Sequence, residues 1–324
     1  MKTNKLNGLF IVWKKYQRRP EVLAPLIDSE LRFIPHLFRS KFFRPLDYSI
    51  KLVVNLNDIF WRKPDFIIAQ CPPIFSVIPA LITEVPYIID AHNPLFQVGM
   101  WRKFPLTRYL IEKSLAVIVH NSEILQLVNS IYPSVRLFNI SDPIEFISSS
   151  TNEKRQEKQI LVISSFDPWD EPVDLLVETM EELTDYTFII TADVKKLPSQ
   201  VSKRLQQLNN VRLTGFLPIK DYHDLLCSSV AALVLTTSEA TQPSGACEAL
   251  SSDTQLIVSK TSLTHKLFGE WAILVDNRKE SIVQAAKSLR PENIDLSYYR
   301  HQWNVSVEQE ISKLSRYIQE NVSC

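Results

Sequence analysis

Apolar residues in this chain cluster into short unbroken runs separated by longer stretches of helical period. The runs are residues 9–13 (LFIVW), 65–70 (DFIIAQ), 85–90 (VPYIID), 116–120 (AVIVH), 160–164 (ILVIS), 187–191 (TFIIT), 211–216 (VRLTGF), 231–235 (AALVL), 256–258 (LIV) and 271–276 (WAILVD). Runs of this length without polar alternation predict parallel strands covered on both faces. Residues 101–115 and 217–226 carry amphipathic helical patterns, and 293–320 read as terminal helices. A strand, loop, helix rhythm repeated in both halves predicts α/β architecture with doubly wound sheets. The polar stretch 147–158 has no apolar period and predicts a linker, which divides the chain into 1–150, 151–292 and a terminal helical segment 293–324.

The most informative stretch is 231–259, AALVLTTSEATQPSGACEALSSDTQLIVS. A buried strand leads into a polar loop with one acid, Glu239, then into Pro243-Ser244-Gly245, where a helix carrying Glu248 begins, and then into another strand. A helix that starts at the carboxyl end of a parallel strand turns its unsatisfied N–H groups and dipole toward the crevice, where a diphosphate is favoured. Glu248, one turn in, is placed to accept from a sugar hydroxyl. Any buried βαβ unit shares the outline, so the pattern alone leaves a purely structural reading open.

The stretch resembles the donor-binding signature of family 4 glycosyltransferases, retaining enzymes with two Rossmann-like domains facing across a cleft, the GT-B fold. That signature has two glutamates with seven residues between them, whereas Glu239 and Glu248 have eight. The resemblance implies that Glu248 contacts the donor ribose and Glu239 a sugar hydroxyl. It also implies that His92, in Asp90-Ala91-His92-Asn93 at a strand end, lies against the donor sugar. His92 and Glu239 are thus the candidate catalytic residues. The amides of Ser244, Gly245 and Ala246 are expected on the phosphates, and Gly215-Phe216 on the nucleobase. The loop 164–172 (SSFDPWDEP) departs from the family, which presents Arg and Lys there; this loop has three acids and no base. Lys260 and Arg212 are the expected replacements, and Arg18 or Arg19 in the basic loop 14–20 is a further candidate for a phosphate contact.

Composition narrows the alternatives. Five glycines in 324 residues leave no G-x-G-x-x-G turn for a nicotinamide or flavin dinucleotide, and no P-loop segment is present. The 36 basic and 36 acidic residues cancel, but residues 1–150 hold 18 basic against 12 acidic and the remainder 18 against 24. A uniformly basic nucleic-acid binder is not indicated. Cys71, Cys227, Cys247 and Cys324 show neither C-x-x-C pairs nor metal-ligand spacing, so thiols in a reducing compartment are expected, with no metal and no cofactor beyond a nucleoside diphosphate sugar as co-substrate. The segment 31–48 interleaves phenylalanines with Arg and Lys, which suits contact with anionic lipid or packing on its own domain. The combined expectation is a cytoplasmic retaining glycosyltransferase, at the inner face of the membrane, acting on a glycan or lipid-linked acceptor. A non-catalytic GT-B partner subunit and a GT-B nucleotide-sugar epimerase stay open.

Overall fold

In the computed structural model, which describes residues 6–38, 40–97, 99–150, 154–193 and 197–322 with the side chain of Lys41 excepted, the apolar runs become the strands of two parallel sheets. The first sheet holds β1 (Gly8–Val12), β2 (Ser29–Phe33), β3 (Phe66–Cys71), β4 (Tyr87–Ala91), β5 (Ala116–Val119) and β6 (Leu137–Asn139) in the order β2-β1-β3-β4-β5-β6. Each of β1, β3, β4 and β5 is buried at every position, which is why their sequences read as unbroken apolar runs. The edge strand β2 is largely half-exposed and mixed in polarity, and no run marks it in the sequence.

The second sheet holds β7 (Gln156–Val162), β8 (Thr187–Ile190), β9 (Val211–Leu213), β10 (Ser229–Val234), β11 (Gln255–Ser259) and β12 (Ile273–Val275), ordered β12-β11-β10-β7-β8-β9. Along β10, Ala231 and Leu233 face one core with Leu176, Val177 and Met180 of the Val173–Glu182 helix. Ala232 and Val234 face the other, with Ala246 and Ala249 of the Ser244–Ser251 helix and Phe268. The period of two thus splits one apolar run between two layers of helices. Strand order reverses between β1 and β3 in the first sheet and between β7 and β10 in the second, so each sheet has a topological switch point.

Two compact units result: residues up to Pro143 together with the stretch from Val305 on, and Ile144–Asn304. The expected boundary at 150/151 therefore moves to Pro143/Ile144, and the expected terminal segment is shared. The Ser297–Val322 helix stacks Trp303 on Phe268 (6.1 Å between centroids) in the second unit and sets Tyr317 against Phe138 (5.7 Å) in the first. Strand β7 starts at Gln156, inside the stretch read as linker, and residues 151–153 of that stretch lie outside the described residues. Cys324 lies outside them too; Cys71, Cys227 and Cys247 are thiols. Among the described residues no helix is long and apolar enough to cross a membrane, and no group of three or more His, Cys, Asp or Glu is arranged to hold a metal.

Candidate functional site

At the switch point of the second sheet, the loops leaving β7 and β10 diverge around a cavity of about 570 Å³, within the size range of small-molecule sites. Asp170 ties the two loops together: its carboxylate accepts from Thr236 Oγ1 (2.7 Å) and its carbonyl from the Thr237 N–H (2.7 Å). One wall is the start of the Ser244–Ser251 helix, where no side chain caps the N-terminus. Gly245 is at that wall because nothing larger fits. A Cβ there would stand 2.8 Å from Ile163 Cγ2 and 3.0 Å from Val234 Cγ2, so the missing side chain lets the helix start sit on the strand ends.

Glu248 lines the cavity one turn along this helix, and its carboxylate accepts a hydrogen bond from the Tyr222 hydroxyl. Tyr222 comes from the Ile219–Ser228 helix, and burial followed by the adjacent carboxylate pushes its hydroxyl pKa far above the ordinary value. Tyr222 therefore stays a donor and holds the Glu248 carboxylate in one orientation. Ser244 lines the cavity and is exposed; Phe216, 79% exposed, stands at its edge, where the left-handed backbone of Gly215 (φ 66°) turns the chain after β9.

Ala246, Glu239, Lys260 and Arg212 are not among the residues that line this cavity. Ala246 faces the core, and its N–H donates to the Pro243 carbonyl (3.1 Å), so that amide is already used. Glu239 is exposed and accepts from the Ser262 N–H (2.9 Å), at the amino end of the Ser262–Phe268 helix, where the dipole favours a carboxylate. Lys260 follows β11, one strand beyond the switch point, and Arg212 is exposed on β9; neither lines the cavity. The lining holds Asp170, Glu171, Asp193 and Glu248 and, among the described residues, no Lys or Arg.

In the sequence Glu171 reads only as one of the three acids of loop 164–172. Its carboxylate instead turns back into its own loop and accepts from the N–H groups of Ser165 (2.9 Å) and Phe166 (2.8 Å) and from both serine hydroxyls, Ser164 and Ser165. Phe166 is left-handed (φ 54°), and the converging amides form an anion-binding concavity that the protein fills with its own carboxylate. The helix start at Ser244-Gly245, by contrast, carries no side-chain cap.

A second cluster gathers at the carboxyl ends of β4 and β5 in the first unit. Asp90 is fully buried and bound by Arg19 Nε (3.0 Å). Burial alone would raise its pKa, but Arg19, His92 and His120 outweigh that and hold it at about 2. Arg19, 3% exposed, also pairs with Asp142, so it is a buried structural cation rather than an open phosphate contact; Arg18 is exposed. His92 is half-buried at the end of β4, 3.8 Å from Asp90, with its ring 4.4 Å from that of His120. Burial lowers His92 to about 4 against the pull of Asp90, and burial with the Arg19 charge puts His120 well below its ordinary value. Both rings are neutral at pH 7. The neutral His92 Nε2 accepts from the Gln17 amide (3.4 Å). Asn121 caps the next helix, Ser122–Ile131: its extended backbone lets its side chain accept from the Ile124 N–H (2.9 Å).

These histidines make stability depend on pH with a definite sign. Between pH 6.5 and about 4 the unfolded chain binds a proton that folded His92 refuses, and His120, also held below its ordinary value, acts in the same direction, so stability is full above that window and falls as pH drops through it. At about 1.4 kcal/mol per pKa unit, His92 contributes on the order of 3 kcal/mol. Urea titrations at pH 7 and pH 5 should show the loss, and His92→Gln should make it smaller while the His120 share remains.

No curated protein matches the chain in sequence. Residues 157–290 match the family model described as glycosyl transferases group 1. Among solved structures, sucrose-phosphate synthase from Thermosynechococcus elongatus superposes with a TM-score of 0.72 at 11% identity, covering 97% of this chain and 99% of that one. Anabaena HepE, solved with UDP and glucose, gives 0.67 at 14% identity over 98% and 100%. UDP-GlcNAc 2-epimerase from Methanocaldococcus jannaschii gives 0.60 at 13% identity over 96% and 100%. The chain therefore has the two-Rossmann GT-B fold, and the match to the family model falls in its second unit.

Proposed function

We propose that the protein is a retaining glycosyltransferase that moves a sugar from a nucleoside diphosphate sugar to a glycan or lipid-linked acceptor. The observation that carries this reading is Glu248, held by Tyr222 one turn inside an uncapped helix at the switch point of the sheet that matches the family. Glu248 accepts from the ribose hydroxyls. The amides of Ser244 and Gly245 and the helix dipole meet the diphosphate, and Phe216 covers the base. Retention follows if the departing diphosphate helps to deprotonate the acceptor on the face it leaves, a route that asks for few protein bases.

Among the described residues the cavity lining bears four carboxylates and no cation, so on this reading most of the binding energy for a donor resides in its nucleoside half. An epimerase is the second reading, favoured by the match to UDP-GlcNAc 2-epimerase over nearly the whole of both chains. The test is incubation of the full chain with a panel of nucleoside diphosphate sugars, read by product analysis. Slow release of nucleoside diphosphate with retained anomeric configuration supports the transferase, and interconversion of the sugar supports the epimerase. Neither turnover nor nucleotide-dependent stabilisation would leave a non-catalytic subunit.

A further inference from the structure

The loop between β7 and the Val173–Glu182 helix holds an anion of its own. An acid just ahead of a helix is ordinarily placed to serve the helix start, yet no side chain caps this helix. The Glu171 carboxylate points the other way, into the loop. One of its oxygens accepts from the Ser165 N–H (2.9 Å) and the Ser165 hydroxyl (2.9 Å), the other from the Phe166 N–H (2.8 Å) and the Ser164 hydroxyl. Two amides and two hydroxyls that converge in this way are the donor set a phosphate takes as readily as a carboxylate. Ser164, Ser165 and Glu171 all line the cavity, so this anion seat opens on the space where a ligand would lie.

The seat is shaped by contacts that do not involve the Glu171 side chain. Phe166 is buried in the same core as Val173 and Leu176, and that anchorage keeps its backbone left-handed (φ 54°), a conformation bulky residues rarely adopt. At the other end of the loop, Asp170 is fastened to Thr236 and Thr237 beyond β10, and the Glu171 N–H donates to the Asp167 carbonyl (2.8 Å). With both ends held, the two amides stay directed at one point whether or not a carboxylate is there. A tethered carboxylate is nonetheless a strong competitor, because its effective concentration at the seat is high and its charge repels a second anion nearby.

We infer that Glu171 is the built-in occupant of a phosphate seat and, through that, a specificity-determining residue of the cavity. It competes with the phosphates of a nucleotide for the donors of Ser164, Ser165 and Phe166, and it sets the preference of the cavity toward ligands with less negative charge. The inference rests on the proposed reading of the cavity as a nucleotide site for the ligand that Glu171 turns away, whereas the seat itself can be tested without a nucleoside. A carboxylate that only locked the loop would behave differently: its removal would loosen the loop and create no affinity for anions.

The test is calorimetric titration of the full-length chain with inorganic pyrophosphate, in the parent, in Glu171→Ala and in Glu171→Gln. Glu171→Ala should bind pyrophosphate roughly tenfold or more tightly than the parent, as expected when charge-assisted donors become available and a like charge is removed. Glu171→Gln keeps the length of the side chain but turns an NH₂ group toward donors, so it should gain affinity too, and it decides the matter if loss of the whole side chain unfolds the loop. Adding Ser164→Ala and Ser165→Ala to the variant that gains should take back most of the gain, which places the pyrophosphate in the seat. A parent that binds pyrophosphate as tightly as the variants, folded variants without the gain, or a gain that survives loss of both serines would overturn the inference. Pyrophosphate binding of the expected pattern supports it even where no nucleoside diphosphate sugar turns over, so the two readings fail separately.

Discussion

Glu248→Ala should remove the thermal stabilisation that a nucleoside diphosphate gives the parent protein while leaving the unliganded melting curve close to unchanged. A hydrogen bond to a charged group is worth about 1.5–3 kcal/mol, which corresponds to roughly ten- to 150-fold weaker binding. A ligand present at a hundred times its Kd stabilises by about 2.7 kcal/mol, so a loss of this size brings the shift near the limit of detection. Tyr222→Phe gives the graded comparison. It keeps the carboxylate and removes only the hydroxyl that holds it, so the shift should shrink and not vanish. An unchanged shift in Glu248→Ala would remove this carboxylate from the nucleotide site. Because Glu171 fills the neighbouring amide concavity, the nucleoside alone should recover most of the affinity of the diphosphate.

The largest effect on stability is expected at Arg19. Removing one member of a buried ion pair leaves the other uncompensated, at a cost of about 3–5 kcal/mol. Arg19→Ala would strand Asp90, which is fully buried and whose hydrogen bond from Gln70 is a long 3.5 Å. Urea denaturation at pH 7 should show the loss in the unfolding transition of the first unit. The sign of the pH dependence offers a second check. In the parent, Asp90 contributes stability above its unfolded pKa, and that stability is lost as pH falls from near 4 toward about 2. In the variant Asp90 can fold protonated, so lowering the pH from 7 toward 4 should narrow the gap between the two proteins. A gap independent of pH would mean that the Arg19 side chain acts by packing alone.

The candidate site was partly legible in advance, for a local reason. Glu248 and Gly245 follow β10 within one strand, loop and helix, so their place at a strand end comes from chain continuity. Lys260 is equally close to a strand end, but that strand is one removed from the switch point, and only the sheet order reveals it. Glu239 shares a loop with the cavity yet is captured by a helix amino end 23 residues on. Glu171 reads as an ordinary loop acid because its partners are backbone amides, which carry no residue identity. Ser122 and Asn121 are both good caps by type, and backbone direction selects Asn121.

By itself the sequence determined the architecture: unbroken apolar runs, buried on two faces, can only be satisfied by parallel strands between helical layers, and composition excluded the glycine-rich nucleotide folds. Tertiary structure alone decided which acids face the cavity and that the expected cations do not. The physical reason is the range of the interactions. Hydrophobic periodicity is a property of neighbours in the chain, whereas a carboxylate goes wherever a partner distant in sequence can satisfy it.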